Sequence, residues 1–159
     1  MKEYKIVISS IWSRDYQIVN NEGVEEGSVK WKNAFLRGAD VSSRFGNYQF
    51  RANSWGTKVT VMDRRGVEIG EVVTDFWKNK TIFSYSGKTY LFKALNWNYS
   101  AFIWQDIDKR KIFSFKPKYW GKNRGSVRVY NNNRQDKEND MLMLLGTYMT
   151  IYRTQQSSG

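Results

Sequence analysis

The sequence predicts a mainly β fold: a closed antiparallel barrel of about twelve strands, built from three four-strand repeats around a central hydrophobic C-terminal helix. Three observations predict it. The apolar stretches of the 159 residues are dominated by Val, Ile, Thr, Tyr, Phe and Trp, with 16% aromatics and a single proline, Pro117, and branched or aromatic side chains suit the pleated surface of a sheet. A pattern of tryptophan, turn residue and glycine returns after about 43 residues, and a repeat of that length marks one supersecondary unit used several times. Finally, the run from Asp140 to Tyr152 carries no charge after its first residue.

The repeat is clearest in the first two units. Trp12, Asn20, Gly23, Gly27 and Val29 are answered by Trp55, Asp63, Gly66, Gly70 and Val72, and more loosely by Trp97, Asp106 and the stretch 112–115. Tyr4, Tyr48 and Tyr90 lead the three copies, and Trp31, Trp77 and Trp120, each near a lysine and an asparagine, follow them. Recurrence at shared positions is how packing residues behave, so these tryptophans are expected in the core or between strands. Exposure of Trp31, Trp77 and Trp120 along one basic groove would instead favour nucleic acid.

Alternation of apolar and polar residues, as at Val59 and Val61, places the strands. The second unit has strands at 48–52, 58–62, 67–74 and 81–85. Its turn at 63–66 is a tight hairpin in which Asp63 bonds its own backbone and Gly66 takes positive φ. The first unit has strands at 5–9, 16–19 and 24–30 with a weak fourth near 34–36, and residues 37–47 are its most loop-like stretch. The third has strands at 90–95, 101–105, 111–115 and 126–130. A twelve-stranded sheet must close to hide its edges, and the closed interior is too wide for strand side chains alone to fill.

The terminal run supplies the filling. Wound as a helix over about 140–152 and capped by Asn139 or Asp140, it puts Leu142, Leu145, Met149 and Tyr152 on one face and Met141, Leu144, Tyr148 and Ile151 on the next. At ~1.5 Å per residue it spans roughly 18 Å against the ~30 Å of a bilayer core, which suits a barrel plug and not a membrane span. Residues 131–139 read as a polar crossing. The chain is expected to form one domain over 1–154, with 155–159 a disordered tail.

Composition narrows function. There is no cysteine and no histidine, so disulfides, thiolate or imidazole metal sites, cysteine nucleophiles and histidine-based triads are excluded. No catalytic residue, metal or cofactor is expected. Asp63, Asp106, Asp108 and Glu68 allow a carboxylate pair to be imagined, but hairpin turns explain the aspartates better. The start of the chain is no secretory signal, and a cytoplasmic location, peripheral at the membrane, is expected.

The formal charge is +11. Residues 44–128 hold 17 Lys/Arg against 6 Asp/Glu, while the two flanks hold 9 of each sign, so the excess sits in the middle of the chain. Two basic sets stand out. Arg64 and Arg65 occupy one hairpin tip, with Lys109, Arg110 and Lys111 at the equivalent tip one repeat later, which closure brings to the same rim. Lys78, Lys80, Lys122 and Arg124 follow the repeated tryptophans and define another. Clustered basic residues contribute about 1 kcal/mol each toward an anionic leaflet, so the expected function is that of a non-enzymatic binding or scaffold domain that docks weakly to anionic headgroups or membrane surfaces. Single-stranded nucleic acid is the alternative partner, because aromatic faces among Lys/Arg stack bases while cations track phosphates.

The hairpins around Asp63, Gly66 and Gly70 and around Asp106 and Lys109, with the closing run from Asp140, resemble the tubby C-terminal-like superfamily, its small bacterial members most of all. That group includes the tubby proteins, the phospholipid scramblases and the LURP-one-related proteins, and the likeness covers nearly the whole chain. The resemblance implies a twelve-stranded barrel around a hydrophobic helix, with phosphoinositide-dependent docking in tubby and calcium-linked lipid movement in scramblases. The chain departs from scramblases in having no membrane-spanning tail and no acidic calcium-loop pattern. None of tubby's phosphoinositide-contacting residues is carried over to a position here.

Overall fold

A computed structural model describes residues 2–10, 14–32, 37–75, 77–78 and 80–158, the last three through their backbone. Twelve strands run β1 (Glu3–Ile8), β2 (Asp15–Val19), β3 (Glu25–Trp31), β4 (Gly38–Ser43), β5 (Gly46–Ala52), β6 (Lys58–Asp63), β7 (Glu68–Asp75), β8 (Lys80–Tyr85), β9 (Lys88–Ala94), β10 (Phe102–Gln105), β11 (Lys111–Pro117) and β12 (Asn123–Val129), followed by helix α1 (Asp136–Ser158). Each strand pairs with its neighbours in sequence, and β1 pairs antiparallel with β12, Tyr4 opposite Val127, to close the barrel.

The threefold repeat is physical. Tyr4, Tyr48 and Tyr90 are all buried, on β1, β5 and β9. A bulge interrupts the second hairpin of each unit, at Ile18/Val19, Val61/Met62 and Trp104/Gln105. The turn just beyond is closed the same way each time: Asn20 Oδ1 accepts from the amides of Glu22 and Val24, Asp63 Oδ1 from Arg65 and Val67, and Asp106 Oδ1 from Asp108 and Arg110. A short acceptor side chain satisfies turn amides that have no ladder partner. Trp104, which the recurring tryptophan pattern leaves out, is therefore the third-unit counterpart of Ile18 and Val61, and its indole is fully buried.

The helix fills the barrel. Leu142, Leu145 and Tyr148 have no solvent exposure, and Thr147 and Thr150 are buried as well. Gly146 marks the closest approach to the wall: a Cβ there would lie 2.0 Å from Phe115 Cζ and 2.6 Å from Trp104 Nε1. Beside it Trp104 Nε1 donates to the Leu142 carbonyl at 2.8 Å. Tyr148 stacks on Trp31 with centroids 4.5 Å apart and donates its hydroxyl to the Arg37 carbonyl at 2.9 Å.

Three expectations need correction. The helix starts at Asp136 and continues to Ser158, beyond 140–152 at both ends. Its first turn is polar because it lies at the barrel mouth, and Asp136 and Glu138 there suit the positive end of the dipole. Asn139 does not cap the helix; its Nδ2 donates to the carbonyls of Asn132 and Arg134, tying the helix to its lead-in. The fourth strand of the first unit lies at Gly38–Ser43, inside the stretch read as loop, whereas residues 34–36 fall outside those described. Weak β-formers are drafted into β4 by pairing on both sides, with Ala39 and Val41 turned inward. The third correction concerns the tryptophans. Trp31 is buried, but Trp55, Trp77, Trp97 and Trp120 are not core residues, because each lies past a strand end, where a side chain no longer alternates into the barrel.

Antiparallel winding sorts the connections into two ends. Turns after β2, β4, β6, β8 and β10 share one end with the lead-in to the helix, where Glu138 pairs with Lys88 at 3.2 Å. Loops after the odd-numbered strands share the other, where the helix emerges with Arg153 bonded to Thr81 at the start of β8.

Candidate functional site

The emerging end of the helix is ringed by aromatic tips. Trp55 follows β5, Trp77 follows β7, Trp97 follows β9 and Trp120 follows β11, at 85%, 100%, 91% and 89% exposure. These are four consecutive loops of one rim. With strands ~4.8 Å apart, successive tips are roughly 10 Å apart along the wall. Trp12 and residues 33–36, in the two remaining loops of this rim, lie outside the described residues. Scattered apolar residues on a surface mean little, but four indoles grouped at one end form a patch that calls for a partner.

The loops that carry them are braced from within. Asn53 Oδ1 accepts from the Thr57 and Lys58 amides at 2.9 and 3.2 Å. Asp75 Oδ1 accepts from the Trp77 and Lys78 amides at 3.1 and 3.2 Å. Asn96 Oδ1 accepts from the Ser100 amide at 2.9 Å, and Arg124 Nη1 donates to the Tyr119 carbonyl at 2.8 Å. In the loop after β9, Tyr99 stacks on Phe102 at 5.8 Å and Phe102 on Phe92 at 5.5 Å, a pile of rings from the core to the rim. Much of the backbone ordering that presents these tryptophans is thus settled on folding, before any partner arrives.

Cations accompany the indoles. Lys78, Lys80 and Lys122 are exposed at this rim, as is Lys118, which sequence reasoning passed over. Among the described residues none of the four is in an ion pair. Arg124 is half-buried and turned to the Tyr119 carbonyl, so it shapes the loop from inside.

The other basic set shares the opposite end. Arg64 and Arg65 sit on the β6–β7 turn, Lys109 and Arg110 on the β10–β11 turn, and Lys111 opens β11. The two turns are four strands apart, roughly 20 Å along the wall. Much of this charge is answered locally: Arg65 lies 3.7 Å from Asp63, and Arg110 reaches Asp106 at 2.9 Å and Asp108 at 3.2 Å. Lys111 sits over the Tyr130 ring at 5.5 Å. The Asp63 carboxyl is held below the usual carboxylate range chiefly by the Val67 amide. At Asp106 partial burial works upward and is outweighed by the Arg110 amide and guanidinium together, so it too sits low. Both aspartates stay ionised in service of their own turns.

At this same end Asp140 is buried inside the mouth and its carboxyl is pushed up to about 6 by burial, against the Ser43 hydroxyl and Arg44, with Glu26 adding to the rise. Among the described residues its Oδ2 has no hydrogen-bond partner. No helix among the described residues is long and apolar enough to cross a membrane, and the barrel's outer wall carries charged side chains such as Lys5, Lys30, Arg51, Lys93 and Lys116.

No family model matches the chain, and no curated protein matches it. Among solved structures it is similar to a protein from Arabidopsis thaliana known from its X-ray structure, with 13% identity over 98% of this chain and 91% of that one and a TM-score of 0.42. That likeness is too slight to transfer anything about a site.

Proposed function

We propose that this barrel is a non-enzymatic docking domain that binds anionic membrane surfaces end-on, through the tryptophan-bearing rim and its lysines. The observation that carries the reading is the grouping of Trp55, Trp77, Trp97 and Trp120 on consecutive loops of one end, among lysines that no carboxylate of the described residues neutralises. Indole rings, apolar in body with one N–H, favour the headgroup level of a bilayer. Lysines beside them add about 1 kcal/mol each toward an anionic leaflet. The rim surrounds an axis already filled by the helix, so its tips present an end face suited to a planar surface. The charged outer wall suits contact by that end and not by the side. This reading keeps the kinship with the tubby C-terminal-like superfamily and a peripheral, cytoplasmic position as parts of the proposal. It moves the contact away from the hairpin tips at Arg64, Arg65, Lys109, Arg110 and Lys111.

Exposed tryptophans among lysines also favour the nucleic-acid reading, since each ring face can take a base. Flotation with phosphatidylcholine vesicles with and without phosphatidylserine, beside a salt titration against a single-stranded oligonucleotide, separates the two. Each indole that moves about 80 Å² into the interface contributes roughly 2 kcal/mol, or about 30-fold in partitioning. Trp77→Ala and Trp120→Ala should therefore each weaken flotation strongly, and serine at the five opposite-rim basic positions should change it little. Salt-sensitive oligonucleotide binding without flotation would transfer the rim to nucleic acid, and the reverse pattern among the variants would return the contact to the hairpin tips.

A further inference from the structure

Arg153 stands where the helix leaves the barrel, against Thr81 at the start of β8 and Phe92 on β9 and near Tyr99 in the loop that carries Trp97. Its side chain is largely buried: the guanidinium lies over the Phe92 ring at 5.3 Å, and Nη2 donates to Thr81 Oγ1. Burial depresses its basicity, and among the described residues Tyr99 is the ionisable neighbour that offsets this. Among the described residues no carboxylate pairs with it. A guanidinium offers five N–H donors in a planar fork, and one hydroxyl cannot occupy them. Desolvated cations in proteins are ordinarily matched by an anion, because an unmatched one is costly. Here the Phe92 face supplies part of the compensation. The helix dipole supplies little, since Arg153 lies more than a turn before the helix end at Ser158.

We infer that Arg153 is the seat of a lipid phosphate: its fork takes the terminal phosphate of a headgroup, with Thr81 holding the guanidinium in place and Trp77 and Trp97 flanking the entry. The inference rests on the docking reading above and gives it a selective contact. A terminal phosphate monoester suits a recessed fork better than a diester, which is flanked by chain on both sides, and planar guanidinium donors match phosphate oxygens two at a time. Exposed lysines add attraction to any anionic surface, whereas a recessed guanidinium favours a terminal phosphate monoester, which projects from its chain and carries up to two negative charges.

The test compares flotation with phosphatidylcholine vesicles that carry phosphatidic acid or phosphatidylserine, adjusted to equal surface charge. Wild type should prefer phosphatidic acid by about tenfold. Arg153→Gln should bring the two vesicles level while retaining the salt-sensitive binding to both. Arg153→Lys, which keeps the charge and loses the fork, should fall between them and covers the case in which the glutamine variant does not fold. Glycerol 3-phosphate should compete with phosphatidic acid vesicles for wild type and not for Arg153→Gln. Equal binding of wild type to both vesicles, with no stabilisation by glycerol 3-phosphate, overturns the phosphate seat and leaves the docking reading standing, and no binding to either vesicle overturns the docking reading itself. Stabilisation of wild type by glycerol 3-phosphate without a preference for phosphatidic acid overturns the lipid assignment in favour of a soluble phosphate.

Discussion

Gly146→Ala tests whether the helix is packed against the wall as described, because two known effects oppose each other there. In an unpacked helix, alanine for glycine gains about 1 kcal/mol of propensity. In this barrel the new Cβ would stand 2.0 Å from Phe115 Cζ, 2.4 Å from its Cε2 and 2.6 Å from Trp104 Nε1, whereas carbon atoms rest at about 3.5–4.0 Å. The Phe115 ring must retreat by about 1.5 Å, and it is fully buried, with Phe92 packed between it and Trp104. Overpacking of this kind costs about 1–3 kcal/mol. Displacing the indole from the Leu142 carbonyl costs about 1 kcal/mol more. The clash exceeds the propensity, and a net loss of about 1–3 kcal/mol is expected. Urea denaturation followed by tryptophan fluorescence and far-UV circular dichroism measures it. A gain near the propensity value would refute the packing of Gly146 against Phe115 and Trp104.

Two further outcomes follow from the same interior. Trp104→Phe removes the donor to Leu142 and part of a buried ring, and should cost about 2–3 kcal/mol by urea denaturation; a change under about 0.5 kcal/mol would put the indole elsewhere. The folded state holds the Asp140 proton up to about pH 6, above the unfolded carboxyl, so this group's contribution to stability falls as pH rises through roughly 4–6. Asp140→Asn should stabilise the fold at pH 7.5 by about 1–2 kcal/mol after allowing for solvent screening, read as a raised melting temperature, and do little at pH 4. An equal change at both pH values would mean that the carboxyl is not buried in charged form at neutral pH.

Much of the wall was legible in the sequence because alternation and turn chemistry are local. Val59 and Val61 face inward, and Asp63 and Asp106 close their turns with their own carboxylates, as short-range reasoning expects. Closure around the terminal run was legible too, since a segment apolar on nearly every side needs protein all round it. β4 was not, because Gly, Ala, Asp and Ser become a strand only when β3 and β5 offer both edges. The polar first turn of the helix carries no apolar period that would announce it.

The tryptophans were misread for a more instructive reason. Recurrence at a fixed spacing says that residues occupy equivalent places in a repeated unit, and it does not say whether that place is inside or outside. Trp104 shows the inside case, in register with Ile18 and Val61 on the three bulges, yet the sequence hides it because those partners are aliphatic. Trp55 and Trp97 show the outside case. The usable signal was the neighbouring amide: Asn53 lies two residues before Trp55 and Asn96 one before Trp97, each accepting from its own loop. A brace of that kind belongs to a segment leaving the sheet, where no ladder partner remains for its amides. Once the indoles are placed in loops, the hydrophobic effect that would have drawn them into the barrel works against leaving them in water, and an apolar partner at that end relieves it. The lysines beside them, unpaired among the described residues, make an anionic interface fit better than a neutral one. The opposite rim, where Asp63, Asp106 and Asp108 meet their own arginines, offers a similar number of cations and much less free charge.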